Sequence, residues 1–271
     1  MSAPYKLECG VRQGGLTSSR LFNIYMNQLI ERLSRAGVGC SIDGVPINNI
    51  SYADDMVLLS PSVSGLRKLI AICEDYAGEH GISYNTKNSE YLIFRGKNKP
   101  SPFKPVIRLC GSPLKQVAYF KYLGHVFTER LDDDSDIEWE RRAMSVRGNM
   151  LARRFARCTT QVKLTLFRAY CQTFYTCGLW IDYTRRGYRV LRVQYNNVLR
   201  AVLGKPRYCS ASAMFADALV DDFYAIVRKR TASLLCRLLS STNTLLGTLA
   251  YKLDSPLWRA WNGGHIGTNR P

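Results

Sequence analysis

The sequence predicts an α+β chain whose second half is almost entirely helical. Three observations carry that expectation. Apolar residues make up 46% of the 271 residues, the usual globular share, so a sizeable core can be buried. Through the first half, helical stretches with a 3.6-residue apolar period alternate with short apolar runs bounded by turn residues. From Ile137 onward the helical period dominates.

The elements follow in order. Thr17–Arg35 is expected to be a helix, with Thr17 or Ser18 capping its start and Leu21, Phe22, Tyr25, Leu29 and Leu33 recurring at helical spacing. Gly37 and Gly39 end it. Ile50–Tyr52 and Met56–Leu59 are short apolar runs around Ala53-Asp54-Asp55, the pattern of two strands joined by a tight acidic turn. Ser64–Glu79 is a second amphipathic helix closed by Gly81. Ser89–Arg95 alternates like a strand, and the prolines of Asn98–Pro105 mark a loop or linker. Val106–Thr128 gives short strands around Gly111-Ser112 and Gly124. Helices are then expected at 137–157, 160–180, 185–203, 209–220 and 222–241. The tail after Asp254 carries little pattern and is expected to be poorly ordered.

Charge divides the chain. The net formal charge is +17, which calls for a polyanionic or anionic partner. Residues 1–135 are nearly neutral at +3, whereas residues 136–271 carry +14. From Arg141 to Arg207 there are fifteen Lys or Arg and one acid, Asp182. The nine cysteines form no CxxC pair, and the three histidines sit at no zinc-ligand spacing from them. Scattered thiols in odd number fit a reducing compartment. No run of apolar residues reaches membrane-spanning length, and Met1–Gly10 lacks the apolar core of a signal peptide. An intracellular protein, cytoplasmic or nuclear, is the expectation.

Four segments carry candidate chemistry. Tyr52-Ala53-Asp54-Asp55 places adjacent carboxylates at a hairpin tip, and carboxylate oxygens are hard ligands suited to Mg²⁺. Alone, such a pair is commonly a solvated turn. Gly10–Gly14 precedes the first helix, where Arg12 offers a fork of donors and backbone N–H groups favour anions. Gly81–Lys87 and Tyr119–Gly124 follow, with Lys87 and Lys121 beside strands; each lysine alone reads as a surface residue.

In this order the segments resemble the motifs of non-LTR retrotransposon (LINE-like) reverse transcriptases, which are RNA-directed DNA polymerases. The matching residues are Gly10–Gly14 with Leu21-Phe22-Asn23, the YADD stretch Tyr52–Asp55, Gly81–Lys87, and Tyr122–Gly124. The resemblance runs from about Glu8 to Thr128, and the helical remainder is similar to the thumb of those elements. It implies the C-terminal half of a right-hand polymerase palm followed by a helical thumb-like region. The domains would be residues 1–98 for the palm, 99–135 for a hairpin and linker, and 136–271 for the basic helical part.

The resemblance also implies roles. Asp54 would bind metal as a catalytic carboxylate with Asp55 beside it. Gln13 and Gly14, with Arg12, would lie at the template and nucleotide. Lys87 would lie near the dNTP phosphates, and Tyr122, Leu123 and Gly124 would grip the primer end. RNA template, DNA primer, dNTP and two Mg²⁺ ions would be the partners. Relatives often carry proline at the positions of Leu16 and Ser19, and lysine where Asn88 stands.

In that family a further catalytic Asp lies on a strand before the glycine-rich turn. Only nine residues precede Gly10 here, so the sequence leads us to expect half a site, inactive by itself. Asp132–Asp134 and Asp221-Asp222 read as solvated helix ends. The alternative function is a non-catalytic nucleic-acid-binding module that holds phosphates through Arg153, Arg154, Arg185 and Arg186.

Overall fold

The computed structural model describes residues 17–96 and 104–265. It is a mixed helix-and-strand structure, and the chain divides into two compact units. One comprises residues 1–91 and 102–116; the other comprises 92–101 and 117–271.

In the first unit, α1 (Ser18–Arg35) packs on α2 (Val63–His80). Leu29 and Leu33 of α1 meet Leu69, Cys73 and Tyr76 of α2 in a buried cluster. Arg32 clamps Glu79 across the helix pair with two hydrogen bonds of 2.9 and 2.7 Å. Thr17 stands at the N-cap of α1 but makes no side-chain cap bond, unlike the expectation; its backbone is already helical, at φ −98° and ψ −9°, so the hydroxyl is not turned back onto the first N–H groups. Ser62 does cap α2, accepting from the Gly65 N–H, and left-handed Gly81 ends that helix.

Between the helices run two antiparallel hairpins: β1 (Ser41–Ile42) with β2 (Val45–Pro46), and β3 (Asn49–Tyr52) with β4 (Asp55–Leu58). Asn48 fixes them to α1. Its buried amide donates to the carbonyls of Leu33 (2.6 Å) and Val38 (2.8 Å). Next come β5 (Glu90–Leu92), then β6 (Arg108–Leu109) paired with β7 (Ser112–Pro113), and β8 (Lys115–Val117), which pairs with β5. The strand expected over Ser89–Arg95 is thus only three residues long.

The second unit opens with the hairpin β9 (Tyr119–Tyr122) and β10 (His125–Thr128). Helices follow: α3 (Asp134–Arg154), α4 (Thr160–Cys171), α5 (Arg185–Leu203), α6 (Ala211–Asp217), α7 (Phe223–Leu239), α8 (Thr244–Tyr251) and α9 (Pro256–His265). Their core is rich in aromatic rings, with Phe167, Phe174, Tyr195, Phe215 and Phe223 in mutual contact.

α3 and α5 lie side by side and run in the same direction. Gly187 sits against Asp134, and Gly148 against Val198, so both glycines let the helices close up. The helix expected over 160–180 stops at Cys171; a short 3₁₀ turn over Cys177–Leu179 follows. The chain leaves the helical path because Phe174 is drawn into the core and because Thr176 and Trp180 turn their polar atoms to Asp136. The tail after Asp254 is helical rather than poorly ordered over its described part. Trp258 and Trp261 are buried against Leu238 and Ala250, and the Trp261 indole donates to the Gly178 carbonyl at 2.7 Å.

Candidate functional site

The acidic hairpin is built as the sequence pattern dictates. Ile50 faces Val57, Ser51 faces Met56, and Tyr52 faces Asp55, so Ala53 and Asp54 form a two-residue turn. Ala53 adopts φ +52°, a conformation that non-glycine residues enter at a cost. The turn therefore projects Asp54 from the tip while Asp55 starts β4. Met56, Val57 and Leu58 pull the base of the hairpin inward; Asp54 and Asp55 stand exposed, with no ion-pair partner among the described residues. Paired hard oxygens on a braced, solvent-open tip suit an Mg²⁺ ion that keeps waters and shares phosphate oxygens. No group of three or more His, Cys, Asp or Glu side chains placed for a metal exists among the described residues. The pair offers hard oxygens open to solvent, with no further carboxylate, thiol or imidazole gathered around it among the described residues.

Asn85 builds the setting of Lys87. Its side-chain and backbone oxygens accept from the Asn88 N–H, each at 3.2 Å, and its carbonyl also accepts from the Ser89 hydroxyl at 2.9 Å. These bonds close a turn over Thr86–Asn88 that presents Lys87 to solvent, while the Tyr84 hydroxyl anchors the stretch to the Cys73 carbonyl of α2. Arg12, Gln13 and Gly14 lie outside the described residues.

Tyr122–Gly124 tips the β9–β10 hairpin in the second unit. Leu123 (φ +46°) and Gly124 (φ +91°) are both left-handed, the turn that suits the twist of a two-residue hairpin. Leu123 is exposed there, and two anchors hold the hairpin to α3. The Lys121 ammonium sits 3.1 Å from the centroid of the Trp139 ring. On the other face, His125 is buried between two carboxylates, with Nδ1 at 3.2 Å from Asp136 and Nε2 at 3.6 Å from Asp133. The first of these contacts is close in distance but poorly aligned for a hydrogen bond.

Asp133 corrects the reading of Asp132–Asp134 as a solvated helix end, and Asp136 is buried beside it. Asp133 accepts from the backbone N–H groups of Ile181 (2.7 Å) and Asp182 (2.9 Å). Asp136 accepts from Val126 N–H, the Thr176 hydroxyl and the Trp180 indole. Burial raises the Asp136 carboxyl, but His125 and the Trp180 indole outweigh it and hold it below the usual range. Burial raises Asp133 too, and there the two backbone donors offset only part of the effect. The sequence signal for this cluster was a histidine directly after Gly124 and aspartates three residues apart at a helix start. By contrast, Asp221 pairs with Lys229, and Asp222 caps α7, as helix-end acids do.

Arg153, Arg154, Arg185 and Arg186 are all exposed and have no ion-pair partner among the described residues. The parallel packing of α3 and α5 puts the first two at one end of the pair and the last two at the other, about 25 Å apart along the axis. Other basic residues of this region are engaged: Arg141 and Arg142 with Glu138, Arg147 with Glu140, and Arg200 with the Cys209 carbonyl.

Residues 2–127 match the family of "Reverse transcriptase (RNA-dependent DNA polymerase)". The curated relatives agree. A retrovirus-related Pol polyprotein from a type-1 retrotransposable element R2 of Popillia japonica is 29% identical over 124 residues, 44% of this chain and 17% of that protein. The Pol polyprotein of the type-2 element R2DM of Drosophila melanogaster is 30% identical over 125 residues, 44% of this chain and 12% of its own. Residues 2–127 are similar to a segment of the reverse transcriptase of non-LTR retrotransposons. The matched stretches cover 12–17% of those two polyproteins. The matched segment contains both the YADD hairpin and most of the β9–β10 hairpin. No described helix is long and apolar enough to cross a membrane, and the eight described cysteines are all free thiols.

Proposed function

We propose that the chain supplies part of a polymerase palm and a thumb-like basic region for RNA-templated DNA synthesis. The observation that carries this reading is the YADD hairpin, which exposes Asp54 and Asp55 on a rigid base inside the matched residues. In this reading Asp54, with Asp55 in support, would hold Mg²⁺. When bound, the metal neutralises charge on the dNTP phosphates and favours in-line attack by the primer 3′-OH. Arg12, Gln13 and Gly14 contact template and nucleotide. Lys87, free on its turn, meets the triphosphate. The Tyr122–Gly124 turn positions the primer end, and the His125–Asp136 anchor keeps that turn still.

Two carboxylates alone do not fix two metal ions around a triphosphate. A polypeptide of residues 1–271 made alone is therefore expected to incorporate no dNTP above background. The test uses an RNA template, a DNA primer and Mg²⁺ or Mn²⁺. Extension that disappears in Asp54→Ala would show that the residues present suffice.

The second reading is a nucleic-acid-binding module that performs no chemistry. What favours it is the second unit's free, exposed Arg153, Arg154, Arg185 and Arg186.

A further inference from the structure

α5 and α7 together carry nine Lys or Arg and no acid. Along one flank of α5, Arg185, Arg189 and Arg192 recur at intervals of four and three residues, spanning about 10 Å of axis. That flank adjoins Tyr224 of α7. The Arg192 guanidinium lies 5.5 Å from the centroid of the Tyr224 ring and donates to its hydroxyl at 3.2 Å, while its Nε has no partner. Arg228, one turn along α7, acts electrostatically on Tyr188, which stacks on Tyr183 at 4.9 Å. Tyr224 is 41% exposed, and Arg185, Arg189 and Arg228 are exposed without ion-pair partners among the described residues. The nearest acids on α7's approach are occupied: Asp221 by Lys229, and Asp222 by the Ala225 N–H.

We infer that this α5–α7 flank binds single-stranded nucleic acid, with Arg185, Arg189 and Arg228 on phosphates and Tyr224 stacked on a base. The inference deepens the nucleic-acid part of the proposed function by naming a face and a strand state. Exposed arginine forks without ion-pair partners suit phosphate oxygens. An exposed ring backed by a guanidinium suits an unpaired base, whose face a duplex keeps stacked away. Arg192 is a positioning residue here: its stack and hydrogen bond hold the Tyr224 ring in place.

The experiment measures binding of short oligo-dT and oligo-U strands to the full chain by fluorescence anisotropy, across a salt series in EDTA. Tyr224→Ala should weaken binding about tenfold, within the range of one lost base stack, with little change in salt slope. Tyr224→Phe, which keeps the ring, should bind close to the unmodified chain. Arg185→Gln with Arg189→Gln and Arg228→Gln should flatten the slope of log K against log salt by about 2. Arg153→Gln with Arg154→Gln, at the far end of the helix pair, should leave the Tyr224 effect intact. Unchanged binding in Tyr224→Ala with a native circular dichroism spectrum would overturn the inference. So would equal competition by a poly-glutamate peptide. Because EDTA removes the metal, this result is independent of primer extension and of Asp54. Failure here leaves the palm reading standing, and failure there leaves this face standing.

Discussion

At the scale of single residues, Asp136 shows how a charged side chain is kept buried. It is 1% exposed, yet both oxygens are occupied, by a backbone N–H, a hydroxyl, an indole and an imidazole. Replacing it with asparagine breaks a buried charge arrangement and turns an acceptor into a donor facing other donors. The expected cost is about 3 kcal/mol at neutral pH. The pH dependence has a defined sign. A carboxyl whose folded pKa is lowered contributes stability above its unfolded value, near 3.9, and loses it as pH falls through the lower folded value. The gap in urea stability between the unmodified chain and Asp136→Asn should therefore shrink as pH drops below about 4. A gap of constant size down to strongly acid pH would mean that the Asp136 charge contributes nothing. None of this was legible in the sequence, because the partners come from β10 and from residues 176–182, far along the chain. What was legible was local: Asp54 and Asp55 at a turn, and Gly81 ending a helix. Each depends only on its neighbours.

At the scale of elements, local pattern succeeded where one helix face or one hairpin decides the structure. α5 starts at Arg185 and ends at Leu203, as its apolar spacing and Gly204 indicate. It failed where distant contacts override periodicity, as at the end of α4 and in the tryptophan-bearing tail. It also gave no warning of how the helices pair. The parallel contact of α3 and α5 rests on Gly148, where an added Cβ would sit 2.5 Å from a Val198 methyl group. Elsewhere in a helix, Gly→Ala gains about 1 kcal/mol of propensity. At Gly148 the clash should reverse that sign, for a net loss of about 1–2 kcal/mol, because overpacking a filled contact forces the helices apart. Thermal unfolding of Gly148→Ala, beside the double variant with Val198→Ala, tests the mechanism. Recovery of stability in the double variant is the expected signature, and no recovery would point to another cause.

At the scale of the whole chain, the charge surplus of residues 136–271 was plain in the sequence, but its distribution was not. Composition counts fifteen basic side chains between Arg141 and Arg207; the structure spends several on Glu138, Glu140 and backbone carbonyls. Arg153, Arg154, Arg185 and Arg186 remain free, in two pairs separated by the length of a helix. If each arginine meets one duplex phosphate, changing all four to Gln should reduce the salt slope by about 3.6, and either pair alone by about half of that. The separation adds a length dependence. About 25 Å corresponds to seven or eight base pairs at 3.4 Å each, so a longer duplex can meet both pairs. On such a duplex the two double variants should be additive. On one shorter than the gap, only one pair can be engaged at a time, and each double variant should cost little because the other pair takes over. Binding should be nearly blind to sequence throughout, since phosphate contacts carry no base information. Unchanged affinity and slope in the fourfold variant, with its circular dichroism intact, would remove the phosphate role from these residues. It would also take Arg185 out of the α5–α7 flank, and leave Arg189, Arg228 and Tyr224 as the nucleic-acid surface still to be judged.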